Sequence, residues 1–445
     1  MFFCDLIASR FHFLRDRIIF TIFYLKNHIY LYIWRMQMQL SAKTPFNKNT
    51  LINNNTLINK TTLRLLSIFA ASVLTVACGD KTNETTNTKT SENASSKTAV
   101  AEDKILNIYN WSDYLAEDTI PNFEKETGIK VRYDVFDSNE ILHAKLMAKN
   151  TGYDIVVPSS NWAKMQIDGG LHQKLDKSKL SNLKNLDPDI LAQMANLDPG
   201  NDYMVDWLWS YTTVGINLDK VKTALGDMPM PTNTWDLVFD PKYTNKLKSC
   251  GITFLDAPSE VFPLALKYIG KPAHSTNLDD YKLATDMLKK VRPDIKRFSS
   301  GGQIDDLASG NVCVALGWAG DFNLARKRSI ENKSEQNIEA LITTMGGYMF
   351  MDTMVIPADA KHVDNAHKFI NYILRPEVHA GLTNAVTYAN PNKAATEFVD
   401  PEIKNNKTIF LPAEDIKKLI PPGNNVDNAT RRVMTRYFTQ FKTGA

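Results

Sequence analysis

From Lys104 onward the apolar residues follow two alternating rhythms. Short β-rich runs ("ILNIY", "KVRYDVF", "YDIVVP") are separated by stretches with helical spacing, such as "TIPNFEKETG" and "NEILHAKLMAKN". Such alternation predicts a parallel sheet with helices on its faces. A second set begins near Thr212 with "TTVGINL", "GITFLDA" and "VCVALGW". Near Asn337 the pattern turns antiparallel, with "NIEALITT", a turn at Gly346-Gly347 and then "YMFMDTMVIP"; the C-terminal stretch is helical. The economical reading is two α/β lobes. Residues 104–210 and 328–380 are assigned to one, 211–327 and 381–445 to the other. In open α/β sheets ligands sit beyond the carboxyl ends of the strands, so a cleft between the lobes is the natural site.

The strand ends share a chemistry. "YNWSDY" places Trp111 two residues before Asp113, and "GWAGD" places Trp318 three before Asp321. "FLDAPSEVF" brings Glu260 into the first turn of a helix behind Asp256 and Pro258. In "YMFMDTM", Phe350 and Asp352 share one face of a strand, because alternate residues point the same way. Each of these acids has a plain structural reading. Asp113 and Asp321 suit helix N-caps, Glu260 suits the positive end of a helix dipole, and the tryptophans suit the core. Asp352 resists it, since a carboxylate inside an apolar strand costs free energy unless a donor or cation pairs with it. Together the four places suit a narrow site whose aromatic faces accept cations and whose carboxylates anchor them. A ligand with amines at both ends of an apolar chain fits such a box.

The N-terminal part reads as an address. "NKTTLRLLSIFAASVLTVACGD" has a basic flank at Lys60 and Arg64, a short apolar core from Leu65 to Val76 and small residues running into Cys78. That core is too short for a stable transmembrane helix and matches a secretory signal peptide. "LTVAC" resembles a lipoprotein processing site, with Cys78 as the lipidated residue; the alternative is an ordinary cleaved signal. Residues 1–78 are therefore read as a leader, with translation expected to begin near Met36 or Met38, because Arg15, Arg17, Lys26 and His28 break the apolar pieces before it. Residues 79–103 form a Thr, Asn, Ser and Lys tract, expected to be a disordered tether.

Charge changes the picture once the leader is set aside. The first 78 residues carry nine Lys or Arg and two acids, so of the 52 bases and 49 acids the remainder holds 43 and 47, a formal charge of −4. No basic stripe survives, which excludes nucleic acid as an expected partner. With Cys4 and Cys78 assigned to the leader, Cys250 and Cys313 remain for an oxidising compartment. They are expected to be joined, the alternative being two buried thiols; their spacing offers no metal motif, and no cofactor is expected. "HVDNAH" (362–367) has an i, i+5 spacing that does not put both histidines on one helix face, and is read as surface.

Several blocks are long enough to be specific. "YNWSDY", "NFEKETGIKVRYDVFDSNE", "DIVVPSS", "LDKSKLSNLKNLDPD", "SCGITFLDAPSEVF", "GWAGD" and "YANPNKAAT" resemble the periplasmic polyamine-binding proteins of ABC importers, most of all the putrescine-type branch. The likeness runs from Asn107 to the C-terminus. It implies a type II periplasmic binding protein fold, two α/β lobes with a hinge and an interlobe ligand cleft. It also implies ligand contacts at Trp111, Ser112, Asp113, Tyr114 and Ser159 from one lobe and Glu260, Trp318 and Asp321 from the other, with Phe350, Asp352 and Tyr388 completing the box. In that picture Asp321 and Asp352 pair with amines and Trp318 and Phe350 stack on the methylenes. Ser112 and Ser159 orient the second amine, with Asp113 and Glu260 close by. A Cys250–Cys313 disulfide is implied as well. "SSNW" (159–162), "TTMGGYMF" and Gly301-Gly302 after Ser300 depart from the pattern.

The expected function is capture of polyamine, putrescine favoured, and its delivery to permease subunits in the inner membrane by a periplasmic monomer attached only through lipid on Cys78. The alternatives are a spermidine-preferring binder, a polyamine sensor, or a secreted carbohydrate-active enzyme using paired carboxylates. No catalysis is expected, and no GxxxxGK[ST] nucleotide loop occurs in the chain.

Overall fold

The structure, a computed structural model, describes residues 102–423 and 426–444. The leader expectations, the lipid site at Cys78 and nearly all of the tether fall outside the described residues. Strand β1 (Ile105–Trp111) lies between β2 (Lys130–Phe136) and β3 (Ile155–Val156), all parallel, with Ile108 level with both Tyr133 and Ile155. Helix α1 (Thr119–Thr127) makes the crossover from β1 to β2, and α2 (Asn139–Met147) leads from β2 toward β3. The Ser138 side chain caps α2 by accepting from Ile141 N, which fixes where the chain leaves β2. Helix α3 (Ser160–Asp168) follows β3, and β4 (His172–Gln173) pairs with β11 (Ile356–Pro357) in a small separate ladder.

The larger sheet runs β10-β5-β8-β6-β7, from β5 (Val205–Asn217), β6 (Ile252–Phe254), β7 (Arg297–Phe298), β8 (Val314–Trp318) and β10 (Tyr348–Met354), with β9 (Ile338–Ala340) also on β5. Strands β6, β7 and β8 are parallel, whereas β5 is antiparallel to β8, β9 and β10. Every residue of β5 and β10 is buried, as expected of strands covered on both faces. Helices α4 (Pro258–Tyr268), α5 (Leu278–Val291), α6 (Gln303–Ala308) and α7 (Ala319–Glu331) belong to this lobe.

Two expectations are corrected. β9 and β10 do not form a hairpin through Gly346-Gly347; they lie in series along β5, Ile338 level with Asn217 and Met354 with Val205. The glycines serve close approach instead. A Cβ on Gly347 would sit 2.2 Å from Thr212 O, and one on Gly346 would sit 2.1 Å from Lys418 O. The lobe crossings also come later than residues 328 and 381. β9 and β10 join the larger sheet, and the chain returns at Val355, which bridges Val156. Helix α8 (Val363–Ile373) then packs on β1, and α9 (Pro376–Val386) packs on α1, α7 and α8. Ala389 touches β5 by bridging Trp209, Asn392 still bridges Leu186, and Ile420 then comes beside Tyr348 of the larger sheet. Helix α10 (Asn428–Thr443) closes the larger lobe on α4 and α5.

Strands β5 and β10 tie the lobes together. Asp352 and Val355 bridge Ser159 and Val156 of the smaller lobe, while Tyr348 and Phe350 pair with Thr212 and Ser210 in the larger sheet. Cys250 and Cys313 are joined, with Cα atoms 5.5 Å apart, linking the approach to β6 with the start of β8. The histidines of "HVDNAH" are not at the surface. His362 bonds the buried Asp154 carboxylate, and buried His367 accepts from Asp176 N while Nδ1 donates to Val363 O. No helix among the described residues is long and apolar enough to cross a membrane.

Candidate functional site

The carboxyl ends of β1, β2 and β3 face those of β6 and β8 across a cavity. All eleven ligand residues expected from the sequence line it: Trp111, Ser112, Asp113, Tyr114, Ser159, Glu260, Trp318, Asp321, Phe350, Asp352 and Tyr388. Five further lining residues are Phe136, Asp137, Ser300, Gly301 and Ile304. Phe136 and Asp137 follow the rule that found the others, since an aromatic ends β2 and an acid comes next.

Aromatic rings form the walls. Trp111 meets Phe136 at a centroid distance of 4.6 Å and Trp318 at 5.6 Å, Trp318 meets Phe350 at 6.4 Å, and Tyr114 meets Tyr388 at 4.7 Å. These tilted and edge-on pairs hold the rings without stacking them flat. The indole N–H groups are already engaged. Trp111 Nε1 donates to Val157 O (2.9 Å) and Trp318 Nε1 to Glu260 Oε2 (2.8 Å).

Three carboxylates are buried against these rings. Asp352 accepts from Ser159 Oγ (2.6 Å) and Tyr114 OH (3.0 Å), so Ser159 and Tyr114 position the acid. Asp321 accepts from Tyr388 OH (2.6 Å) and Gln303 Nε2 (2.9 Å). Glu260 accepts from Thr212 Oγ1 and Trp318 Nε1. Asp321 and Glu260 each stand third in their helices, α7 and α4, inside the first turn where the helix dipole favours negative charge. Neither helix is capped by a side chain at that end, so the N-cap reading of Asp321 does not apply. Asp113 is no cap either. It adopts a left-handed backbone (φ 54°) at the cavity rim, where Arg328 of α7 pairs with it.

"GWAGD" has a structural logic. A Cβ on Gly317 would lie 2.4 Å from Gln303 Oε1, and one on Gly320 would lie 2.1 Å from the Tyr388 ring. Each glycine admits one of the two donors that hold Asp321. Gly320→Ala should therefore push Tyr388 off Asp321, destabilising the protein by roughly 1–3 kcal/mol even though alanine is the better helix former. Denaturant unfolding checks this, and unchanged stability would contradict it.

Burial dominates the electrostatics. It pushes Asp352 and Glu260 up to about 7 and Asp321 up to about 6, against the lowering effect of the donors on each. Among the described residues no Lys or Arg lines the cavity. A further acid lies behind the wall. Asp206, level with Thr353 on β5, is wholly buried, and neither oxygen has a hydrogen-bond partner among the described residues. Burial, and then the charge of Asp352, push its carboxyl well above the usual range, against the lowering effect of the Trp207 backbone.

Two α/β lobes tied by crossing strands, with a cavity at facing strand ends, are the architecture of a periplasmic-type solute-binding protein. The chain belongs to the bacterial extracellular solute-binding proteins, whose family profile matches residues 119–411. It is 50% identical over 348 residues to the putrescine-binding periplasmic protein PotF of Escherichia coli (strain K12), covering 78% of this chain and 94% of that one. Likeness to the putrescine-binding periplasmic protein SpuD of Pseudomonas aeruginosa (strain UCBPP-PA14) is 44% over 344 residues, 77% of this chain and 93% of the relative. Among solved structures, a putative spermidine/putrescine ABC transporter protein from Listeria monocytogenes superposes with a TM-score of 0.68 at 34% identity, covering 77% of this chain and all of its own.

Proposed function

We propose that this chain captures a linear polyamine, putrescine favoured, outside the cytoplasm and delivers it to an ABC importer in the inner membrane. One observation carries the reading: three buried carboxylates share an aromatic-walled cavity that no lysine or arginine among the described residues lines. Such acids are costly until a cation enters with its own donors. A diammonium supplies two charges at the ends of an apolar chain, suiting a box that offers both buried acids and aromatic rings. Asp321 and Asp352 take the ammonium groups, Trp318 and Phe350 pack on the methylenes, and Glu260 adds negative potential beside Trp318. Ser159 acts through Asp352, and Ser112 and Asp113 close the mouth.

Ligand touching both lobes stabilises the closed arrangement by its differential affinity for it, and the closed form is what the importer engages. A Cys78 lipid and the 79–103 tether would hold the chain at a membrane facing the periplasm, as a monomer without catalytic turnover. Thermal unfolding with putrescine, spermidine, cadaverine, arginine and maltose added separately tests the reading. A ligand at about a hundred times its dissociation constant adds roughly 2.7 kcal/mol. Putrescine should raise the midpoint most; a folded sample that no polyamine shifts would defeat the proposal.

A further inference from the structure

We infer that Asp137 and Gly301 set how far a ligand extends from this site, Asp137 serving as counter-ion to the third ammonium of a linear triamine that leaves through the cavity mouth. The inference rests on the polyamine reading above. The cavity shares Asp137, Ser300 and Gly301 with an open groove running between α2 and α10, so a chain too long for the box has a way out past these residues. Of the other acids here, Asp113 pairs with Arg328 and Asp256 with Lys442, while the half-buried Glu140 of α2 has no salt bridge among the described residues and accepts from Ser259 Oγ. Asp137 receives only the Ser112 hydroxyl, at 3.1 Å, and has no basic partner among the described residues.

The opposite wall leaves that carboxylate reachable. A Cβ on Gly301 would lie 3.1 Å from Asp137 Oδ1, so any side chain there would cover it. Ser300 Oγ is taken up by Asp256 N, and Ser299 Oγ by Gly302 N, so the 299–302 turn is tied to its own lobe. A diamine has charge enough for the buried acids of the box. One more aminoalkyl arm carries an ammonium outward, and Asp137 is the exposed carboxylate without a basic partner that lines both the cavity and the groove it enters.

The test is calorimetric affinity for putrescine and spermidine at 0.15 M salt, where long-range attraction is screened. Wild type, Asp137→Asn and Gly301→Ser are compared. An exposed ion pair predicts that Asp137→Asn weakens spermidine about threefold and leaves putrescine unchanged. Gly301→Ser, which covers the carboxylate, should act in the same direction. Equal losses for both amines, no loss for either, or a wild type that binds putrescine and refuses spermidine would each overturn the inference while leaving the diamine site standing. A wild type that binds neither amine overturns the polyamine reading and this inference with it.

Discussion

Asp352→Asn is expected to weaken putrescine by about 3 kcal/mol, more than a hundredfold, because a desolvated ammonium loses its charged partner. The same change should leave the ligand-free protein no less stable at neutral pH. Ser159 and Tyr114 both donate to this carboxylate, yet burial outweighs them and lifts it to about 7, so the charge is a burden until ligand arrives. An amide of the same shape removes the charge and keeps an oxygen for one donor. Binding and stability thus move apart, which simple damage to the fold would not produce. Calorimetry for affinity and denaturant unfolding for stability, run on one preparation, check both signs. Unaltered affinity would remove Asp352 from the site, and parallel losses would make it a structural residue.

The second large effect is on pH. Asp321 at about 6 and Asp352 and Glu260 at about 7 lie above their unfolded values, so the folded, ligand-free protein holds protons more tightly than the unfolded chain. The stability they contribute is therefore present below the unfolded values near 4 and is lost as pH rises toward 7. Ligand reverses this. A diammonium favours the ionised acids, so putrescine binding below pH 7 must expel protons, and affinity should fall by about tenfold per pH unit for each carboxyl that has become protonated. Between pH 8 and pH 5 the dissociation constant should rise by well over tenfold while the ligand-free midpoint rises. Affinity independent of pH across that span would mean that the acids are ionised in the empty cavity.

Much of this site can be read along the chain because strand ends are local features. An aromatic closing a β-run with an acid soon after marks Trp111, Trp318 and Asp321 wherever the strands go, and Asp352 stands out as an acid within an apolar strand. The same reasoning reaches Asp137 after β2 and Asp206 in "YMVDWLWSYTTVG". What holds the acids is not local. Gln303, Tyr388 and Thr212 come from other elements, and the clearances at Gly317 and Gly320 exist only once those elements pack. Arg328 reaches Asp113 from 215 residues away, which turns an expected helix cap into a rim ion pair. The lobe crossings misplaced at 328 and 381 have a similar cause. Apolar alternation predicts that β9 and β10 are strands, but which sheet takes them depends on the buried flank that β5 offers.

The central claim is that buried acids await a diammonium. Its most direct test is calorimetric titration of putrescine at pH 6.5 in two buffers with different heats of ionisation. The predicted result is one putrescine per chain with net release of protons to the buffer, and absence of binding, or binding with proton uptake, would contradict it.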